Sequence, residues 1–370
     1  MIDFGFMIDR PSLVLALGAL LLQAPPAQAE SDSCPQGEWR VHQRAEGGLD
    51  SNHVNDIVVL DGGTVVFGTN DLYPVETHGG GVSVLSPDGT WTRHRRASGG
   101  LQSDTVYSVA VAGDRLLAGS LKGAASVSLV DLAAADADWR GLPSRPVMPY
   151  GLSDISDILV DARGDRWFAT NAGLFVHRAV DGGWSRYGTD AEEGDLKGRF
   201  ITALAEGPDG TIWIGTAGKG VAAFQPTEES WRTWTVAAGG LCNDYVYDLA
   251  VDSDGRPWAG TGIGLCGWTG ETWEHITSRN SPLPDDDVRA VHSDRFGRLW
   301  VGTHQGAAVI RPAPAVCAPV EVSPASASPE GAPADGVPHR LVVSIAEGPD
   351  GRLWFGTYGG GAASFAPEVP

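Results

Sequence analysis

Long apolar runs are scarce in this 370-residue chain, and after Leu22 none is long enough to cross a bilayer. Basic charge is scarce too. Twenty-six Lys and Arg stand against 46 Asp and Glu, a formal net charge of −20. That balance excludes a nucleic-acid surface, which needs clustered cations to meet phosphates, and fits a solubilising acidic exterior. Only four cysteines occur, with no C-x-x-C pair, so a zinc knuckle has no support. There is also no nucleophile elbow, phosphate-binding loop or metalloprotease histidine spacing.

What is abundant is turn chemistry and tryptophan: 50 Gly, 24 Pro and 13 Trp, too many turn formers for a helical protein and too many aromatics for a disordered one. The stretch DGRLWFGT, Asp350–Thr357, recurs as DGTIWIGT, DGRPWAGT and FGRLWVGT, and in weaker form as GDRWFAT, GDRLLAGS and GGTVVFGT. Stepping through Val66, Leu117, Trp167, Trp213, Trp258, Trp300 and Trp354 gives seven copies about 42 to 54 residues apart. Each copy reads as four strands, a to d. In the fourth, these are Ile201–Ala205, Thr211–Gly215, Gly220–Phe224 and Trp231–Val236. Strand b is apolar on both faces, as a sheet packed between two others requires. Strand d opens on Trp91, Trp139, Trp184, Trp231 or Trp273, each expected to pack between units.

The spacing predicts an all-β, seven-bladed β-propeller with four-stranded antiparallel blades. The last unit stops after strand c, while GEWRVHQRAEGGLDSNHV at Gly37–Val54 repeats GTWTRHRRASGGLQSDTV at Gly89–Val106. The strand around Trp39–His42 is therefore expected to complete blade seven and close the ring. Residues 1–29, with Arg10 before the apolar run Leu13–Leu22 and Ala27-Gln28-Ala29 after it, read as a secretory signal peptide. A retained N-terminal anchor is the alternative. Residues 30–37 form a lead-in, 38–366 the propeller and 367–370 a tail. The expected location is periplasmic or secreted, with no span in the mature chain and a monomeric state. Three insertions fall on the top face, which holds the d–a and b–c loops: 70–81, 142–153 and the Pro/Ala/Ser-rich 323–338, the last expected to be an irregular loop. The same map pairs Cys242 with Cys266 near the top of blade five, and Cys34 with Cys317 near the bottom.

These residues also carry a family resemblance. The pattern D-x-x-G-x-L-W-x-G-T-x-x-G, with L-x-S/N-D/N-x-V before strand a, resembles the two-component regulator propeller repeat over nearly all of Trp39–Phe365. The resemblance implies an extracytoplasmic ligand-sensing propeller, in many members joined to a membrane helix and a histidine kinase, and in some recognising oligosaccharides. No membrane segment, kinase or output domain follows before Pro370, so the expectation is a sensory or adaptor component rather than a signalling enzyme.

Comparing repeats separates scaffold from candidate site. Asn52, Asp104, Asp244 and Asp286 recur before strand a, so their expected role is strand-entry hydrogen bonding; a calcium ring is the rival. Arg199 and Arg340 replace them in blades four and seven. The second position of strand a varies: Asn55, Tyr107, Ser156, Thr202, Tyr247, Arg289 and Val343. Arginine forks and tyrosine faces at one mouth suit a small polar, glycan-like or anionic ligand, with Arg199, Arg289, Arg340, Tyr107, Tyr247, His339, Tyr358 and Asn55 as the candidate binding set. In the bland alternative, each arginine pairs with a neighbouring aspartate such as Asp244 or Asp287. A partner in the envelope, such as a membrane sensor, would read occupancy. The second class is enzymatic. His304, His339, His53, His78 and Glu76 gather on the top loops of blades six, seven and one, and streptogramin lyases are seven-bladed propellers that use His and Glu with magnesium. His304, His339 and Glu76 would then act with a divalent metal ion in a lyase or hydrolase. The third reading is a structural envelope scaffold. A binding module without a cofactor or resident metal is the preferred one.

Overall fold

The computed structural model describes residues 37–44, 48–70, 80–142, 152, 154–188, 196, 198, 200–281, 283–310, 332–334 and 336–367. The leader, Cys34, Glu76, His78, Arg199, Cys317, residues 368–370 and most of the three insertions lie outside them. Seven antiparallel sheets follow one another along the chain. Their innermost strands are His53–Val59, Val106–Ala112, Ile155–Val160, Ile201–Glu206, Val246–Val251, Val288–Ser293 and Val342–Glu347. Each packs against its neighbours, and the first also packs against the last, so the sheets form a closed ring. The expected strand limits hold to within one or two residues.

Closure is as expected. Strand Gly37–His42 runs antiparallel to Ala362–Pro367, with Trp39 opposite Phe365. The Trp39 ring lies 4.7 Å from that of Phe365 and 5.1 Å from that of Phe355. Two features of this sector correct the sequence reading. Part of the insertion taken as an irregular loop is a strand: Ala332–Ala334 pairs with Trp39–Val41, so blade seven has five strands. Blade six, among the described residues, has three. Proline is tolerated at the outer edge of a sheet, where its missing N–H faces away from the ladder, and here Pro333 lies opposite Arg40. The closing strand is thus held on both sides.

Each part of the repeated motif has a physical task. Asp161, Asp252 and Asp294 open the a–b turns of blades three, five and six, and one oxygen of each accepts two amides of its own turn. The other oxygen accepts the indole N–H of Trp167, Trp258 or Trp300, at 3.0, 2.8 and 2.9 Å. The Thr or Ser ending strand b donates its buried hydroxyl to a glycine carbonyl across the b–c turn in all seven blades. The glycine before it lets the next blade approach. A Cβ built on Gly302 would sit 2.7 Å from Val342 Cγ1, and one on Gly356 would sit 2.9 Å from Val54 Cγ1. Gly68, Gly119, Gly215 and Gly260 face Val106, Ile155, Val246 and Val288 in the same way.

The core is accordingly divided into clusters that lie between sheets, such as Leu49, Val54, Ile57 and Phe67 with Trp354 of blade seven. The outer tryptophans do pack between units: Trp273 lies 6.1 Å from Trp234, and Trp231 lies 5.3 Å from Tyr187. On the top of blade five, Cys242 and Cys266 form the expected disulfide, with their Cα atoms 6.0 Å apart.

Two outcomes follow from this seam. Gly302→Ala should lower stability by roughly 1–3 kcal/mol through overpacking, and Val342→Ala in the same chain should recover part of the loss in denaturant melts. Thr357→Val keeps the shape but removes the hydroxyl that donates to the Gly361 carbonyl and accepts the Gly360 N–H, leaving that carbonyl only the Thr357 N–H. It should cost about 1–3 kcal/mol, with the β-sheet circular dichroism unchanged.

Candidate functional site

Every innermost strand carries a β-bulge near its top: the register slips between Val54 and Asp56, and at the equivalent place in the other six blades. A bulge sets two consecutive residues against one on the partner strand, so both turn towards the same side. Here that side is the axis of the ring. Asn55, Tyr107, Ser156, Thr202, Tyr247, Arg289 and Val343, the seven variable residues, all line one channel of about 270 Å³. The bulges add Asp56, Asp157, Asp248 and Ser344 to its wall.

Hydrogen bonds divide the wall into committed and uncommitted groups. Asn55 Nδ2 donates to the Val106 carbonyl at 2.7 Å, and Ser156 Oγ donates to the Ile201 carbonyl at 2.6 Å, so both side chains tie one blade to the next. Arg289 holds Asp287 with two bonds of 2.7 and 2.9 Å, and its guanidinium lies 3.8 Å from the centre of the Tyr247 ring. Its charge is already matched, as the bland alternative had it. The Thr202 hydroxyl is buried without a partner among the described residues. Tyr107 is half-buried; burial, then the charge of Asp154, then Tyr358, push its phenol above the ordinary range, so it stays a donor at neutral pH. Neither Tyr107 nor Tyr247 has a hydroxyl partner among the described residues.

The remaining candidates sit higher or outside. Tyr358 is 38 % exposed at the rim, edge-on to His53 with ring centres 4.8 Å apart. Tyr245, 44 % exposed, lies 4.9 Å from Tyr247. Arg340 is exposed and is not part of the channel wall. The recurring Asn52, Asp104, Asp244 and Asp286 each accept the backbone N–H eight residues upstream, at 2.5, 2.5, 2.7 and 2.6 Å. Their role in strand entry is the expected one.

The histidine cluster is looser than an active site. His304 is exposed. His339 Nδ1 accepts the Leu341 N–H at 3.1 Å, so Nε2 carries the hydrogen. Burial pushes its imidazole towards the neutral form, and the Arg340 charge and His304 act in the same direction. A ring in that state donates a hydrogen bond at Nε2 and has no lone pair there to act as a base. Among the described residues, no three His, Cys, Asp or Glu side chains converge closely enough to hold a metal ion.

A wider hollow of about 570 Å³ opens on the bottom face, bordered by Asp252, Asp294, Arg295 and Glu347. Its charged side chains are already engaged. Asp252 and Asp294 hold their turns and indoles, and Arg295 binds Glu347 and the Pro349 carbonyl. The axial channel, with uncommitted hydroxyls, is the better candidate despite its smaller volume.

Sequence reasoning found the variable ring but did not single out Asp56, Asp157 and Asp248, which the bulges bring to the channel wall. A signal was present. Val54 and Ile57, Val106 and Val109, and Ile155 and Ile158 are all buried at a spacing of three, which a strand satisfies only through a bulge.

Comparison with known proteins places this geometry. Residues 195–218, 282–305 and 336–359 match the two component regulator propeller family. A comparison with curated proteins returns no match. Among solved structures, the extracellular domain of the putative hybrid two component system BT3049 from B. thetaiotaomicron superposes with a TM-score of 0.69 at 21% identity, covering 91% of this chain and 42% of that one. The extracellular domain of the putative one component system BT4673 from the same organism gives 0.66 at 16%, covering 90% and 40%. The chain thus spans about two-fifths of the length of these extracellular domains. Virginiamycin B lyase from Staphylococcus aureus gives 0.61 at 14%, covering 90% and 99%. At such identities the likeness is one of fold. The three matched segments carry the repeat of the two component regulator propeller family in blades four, six and seven.

Proposed function

We propose that this protein is a sensory or adaptor propeller of the cell envelope that binds a small polar ligand, of oligosaccharide type, in the mouth of its axial channel and performs no chemistry on it. The observation that carries the reading is the convergence of the seven non-recurring residues of one strand position on a single channel, where the hydroxyls of Tyr107, Thr202 and Tyr247 are not used by the scaffold. Tyrosine faces at the rim, on Tyr245 and Tyr358, offer stacking surface above those hydroxyls. A sugar ring presents an apolar face and a belt of hydroxyls, which matches both features. An anionic ligand fits less well, because among the described residues the one cation in the channel wall is matched by Asp287 and three aspartates share the wall.

An envelope location is supported by the Cys242–Cys266 disulfide, by residues 1–29 as a leader, and by the extracellular origin of the BT3049 and BT4673 domains. Among the described residues, no helix is long and apolar enough to cross a membrane. A membrane-bound partner would therefore read the occupied mouth. The lyase reading loses support because His339 lacks a free base at Nε2.

The test is a calorimetric screen of soluble oligosaccharides, followed by two groups of variants. Tyr107→Phe and Tyr247→Phe should each weaken binding about 5- to 10-fold while leaving the melting temperature unchanged. Asn55→Ala should do the reverse, lowering stability through the lost bond to the Val106 carbonyl. Binding that survives both tyrosine changes would remove the channel as the site.

A further inference from the structure

The residue two places before each variable wall position stands on the same side of its strand, because side chains alternate along a strand. Two pairs show the relation directly: the Tyr245 ring lies 4.9 Å from that of Tyr247, and Asp287 holds Arg289. These earlier residues form an upper tier, nearer the mouth. Two neighbours in that tier are aromatic and open to solvent: Phe200 in blade four, 45 % exposed, and Tyr245 in blade five. One turn fixes both, since the Ala217 N–H donates to the Phe200 carbonyl at 3.0 Å and Ala217 pairs with Tyr245. Three blades further round the ring of seven, Tyr358 stands edge-on to His53 at 4.8 Å. The mouth thus carries aromatic surface on two nearly opposite sides.

Below that tier the channel is confined. Its volume of about 270 Å³ is under the roughly 300–1,000 Å³ that a drug-sized ligand fills, and gives room for one pyranose ring. Core clusters fill the seams between blades, such as Val54, Ile57 and Phe67 with Trp354, so the closed ring bounds the channel on every side. Asp56, Asp157 and Asp248 are committed to the scaffold: each gives one oxygen to its own next amide and the other to an amide of the following blade. Deeper along the strands the wall gains Leu204, Leu249, Val291 and Ile345, and burying sugar hydroxyls against them would cost free energy. A polymer therefore gains nothing by threading through.

We propose that the protein recognises the end of a sugar chain, an inference that rests on the oligosaccharide reading above. One terminal sugar enters the channel, and the second lies at the mouth between the Phe200–Tyr245 surface and Tyr358. A sugar in the middle of a polymer is substituted on two sides and needs two exits from the site, whereas the ring leaves one above the polar part of the wall. The hydroxyls of Tyr107 and Tyr247 are then within reach of a terminal unit alone. What they meet is the hydroxyl that a chain end has and a mid-chain sugar lacks. The aromatic faces above take the apolar face of the following sugar.

The full chain should be titrated with neutral gluco-, xylo-, manno- and arabino-oligosaccharides of one to six units. The tetrasaccharide of any series that binds is then taken in two modified forms, one reduced to the alditol at its reducing end and one methylated on its terminal non-reducing sugar. One of these modifications should weaken binding about 10-fold or more, because it alters the unit that enters the channel. Affinity should rise about 5- to 10-fold from one unit to two and then level off, and Phe200→Ala and Tyr245→Ala should each remove most of that rise. Affinity that survives both end modifications, or that climbs steadily up to six units, would overturn chain-end recognition and leave oligosaccharide binding standing. A rise from one unit to two that is intact in both variants would remove the aromatic mouth as the second subsite. Absence of binding in every series would sink the oligosaccharide reading, and this inference with it.

Discussion

The contact on which the ring depends is a missing methyl group. Near the axis, a glycine on the second strand of one blade meets a β-branched side chain on the first strand of the next, as Gly302 meets Val342 and Gly356 meets Val54. Removing Cβ lets two sheets approach at their inner edges while tryptophans hold their outer edges apart. Wedge-shaped packing of this kind is what bends a row of sheets into a circle. Blade three has Ala169 in place of the glycine, so one seam tolerates the extra atom.

Repetition explains how much of this was legible in sequence. A demand made seven times leaves seven imprints, so the Gly-Thr ending of strand b, the aspartate before strand a and the split last blade could all be read without coordinates. Their meaning was less accessible. The threonine is a staple across the b–c turn, and the Asp of D-x-x-G is a partner for the tryptophan six residues later. Both facts depend on which side chains a hairpin folds together. Ala332–Ala334 was illegible for a different reason. Nothing in Ala-Pro-Ala favours a strand, and it becomes one only because the closing strand offers an unpaired edge.

The candidate site shows the same division. The variable position of the innermost strand was visible as a departure from the repeat, and the fold gathers all seven of its residues. Their electrostatics were not visible as first read. Arg289 suggested an anion, yet Asp287 lies two residues earlier on the same strand edge and takes up both arms of the guanidinium. Arg340 departs from the repeat just as clearly but sits two positions before its strand, where the chain turns outward. Departure from consensus therefore locates a candidate; the bulge decides whether it faces the channel.

The bulge also makes the channel separable from the ring that holds it. Glycine seams, threonine staples and indole–aspartate bonds are all completed within or between blades without Tyr107, Thr202 or Tyr247. Replacing those three alters what the channel can hold without disturbing how the sheets meet. Asn55, Ser156 and the three aspartates lie in the same wall but fasten neighbouring blades, so changes there act on the scaffold first. A preformed ring of this kind loses little conformational entropy when a ligand enters, because its backbone is ordered beforehand. One architecture can thus serve many ligands through a few wall positions, with recognition confined to side chains the fold does not need.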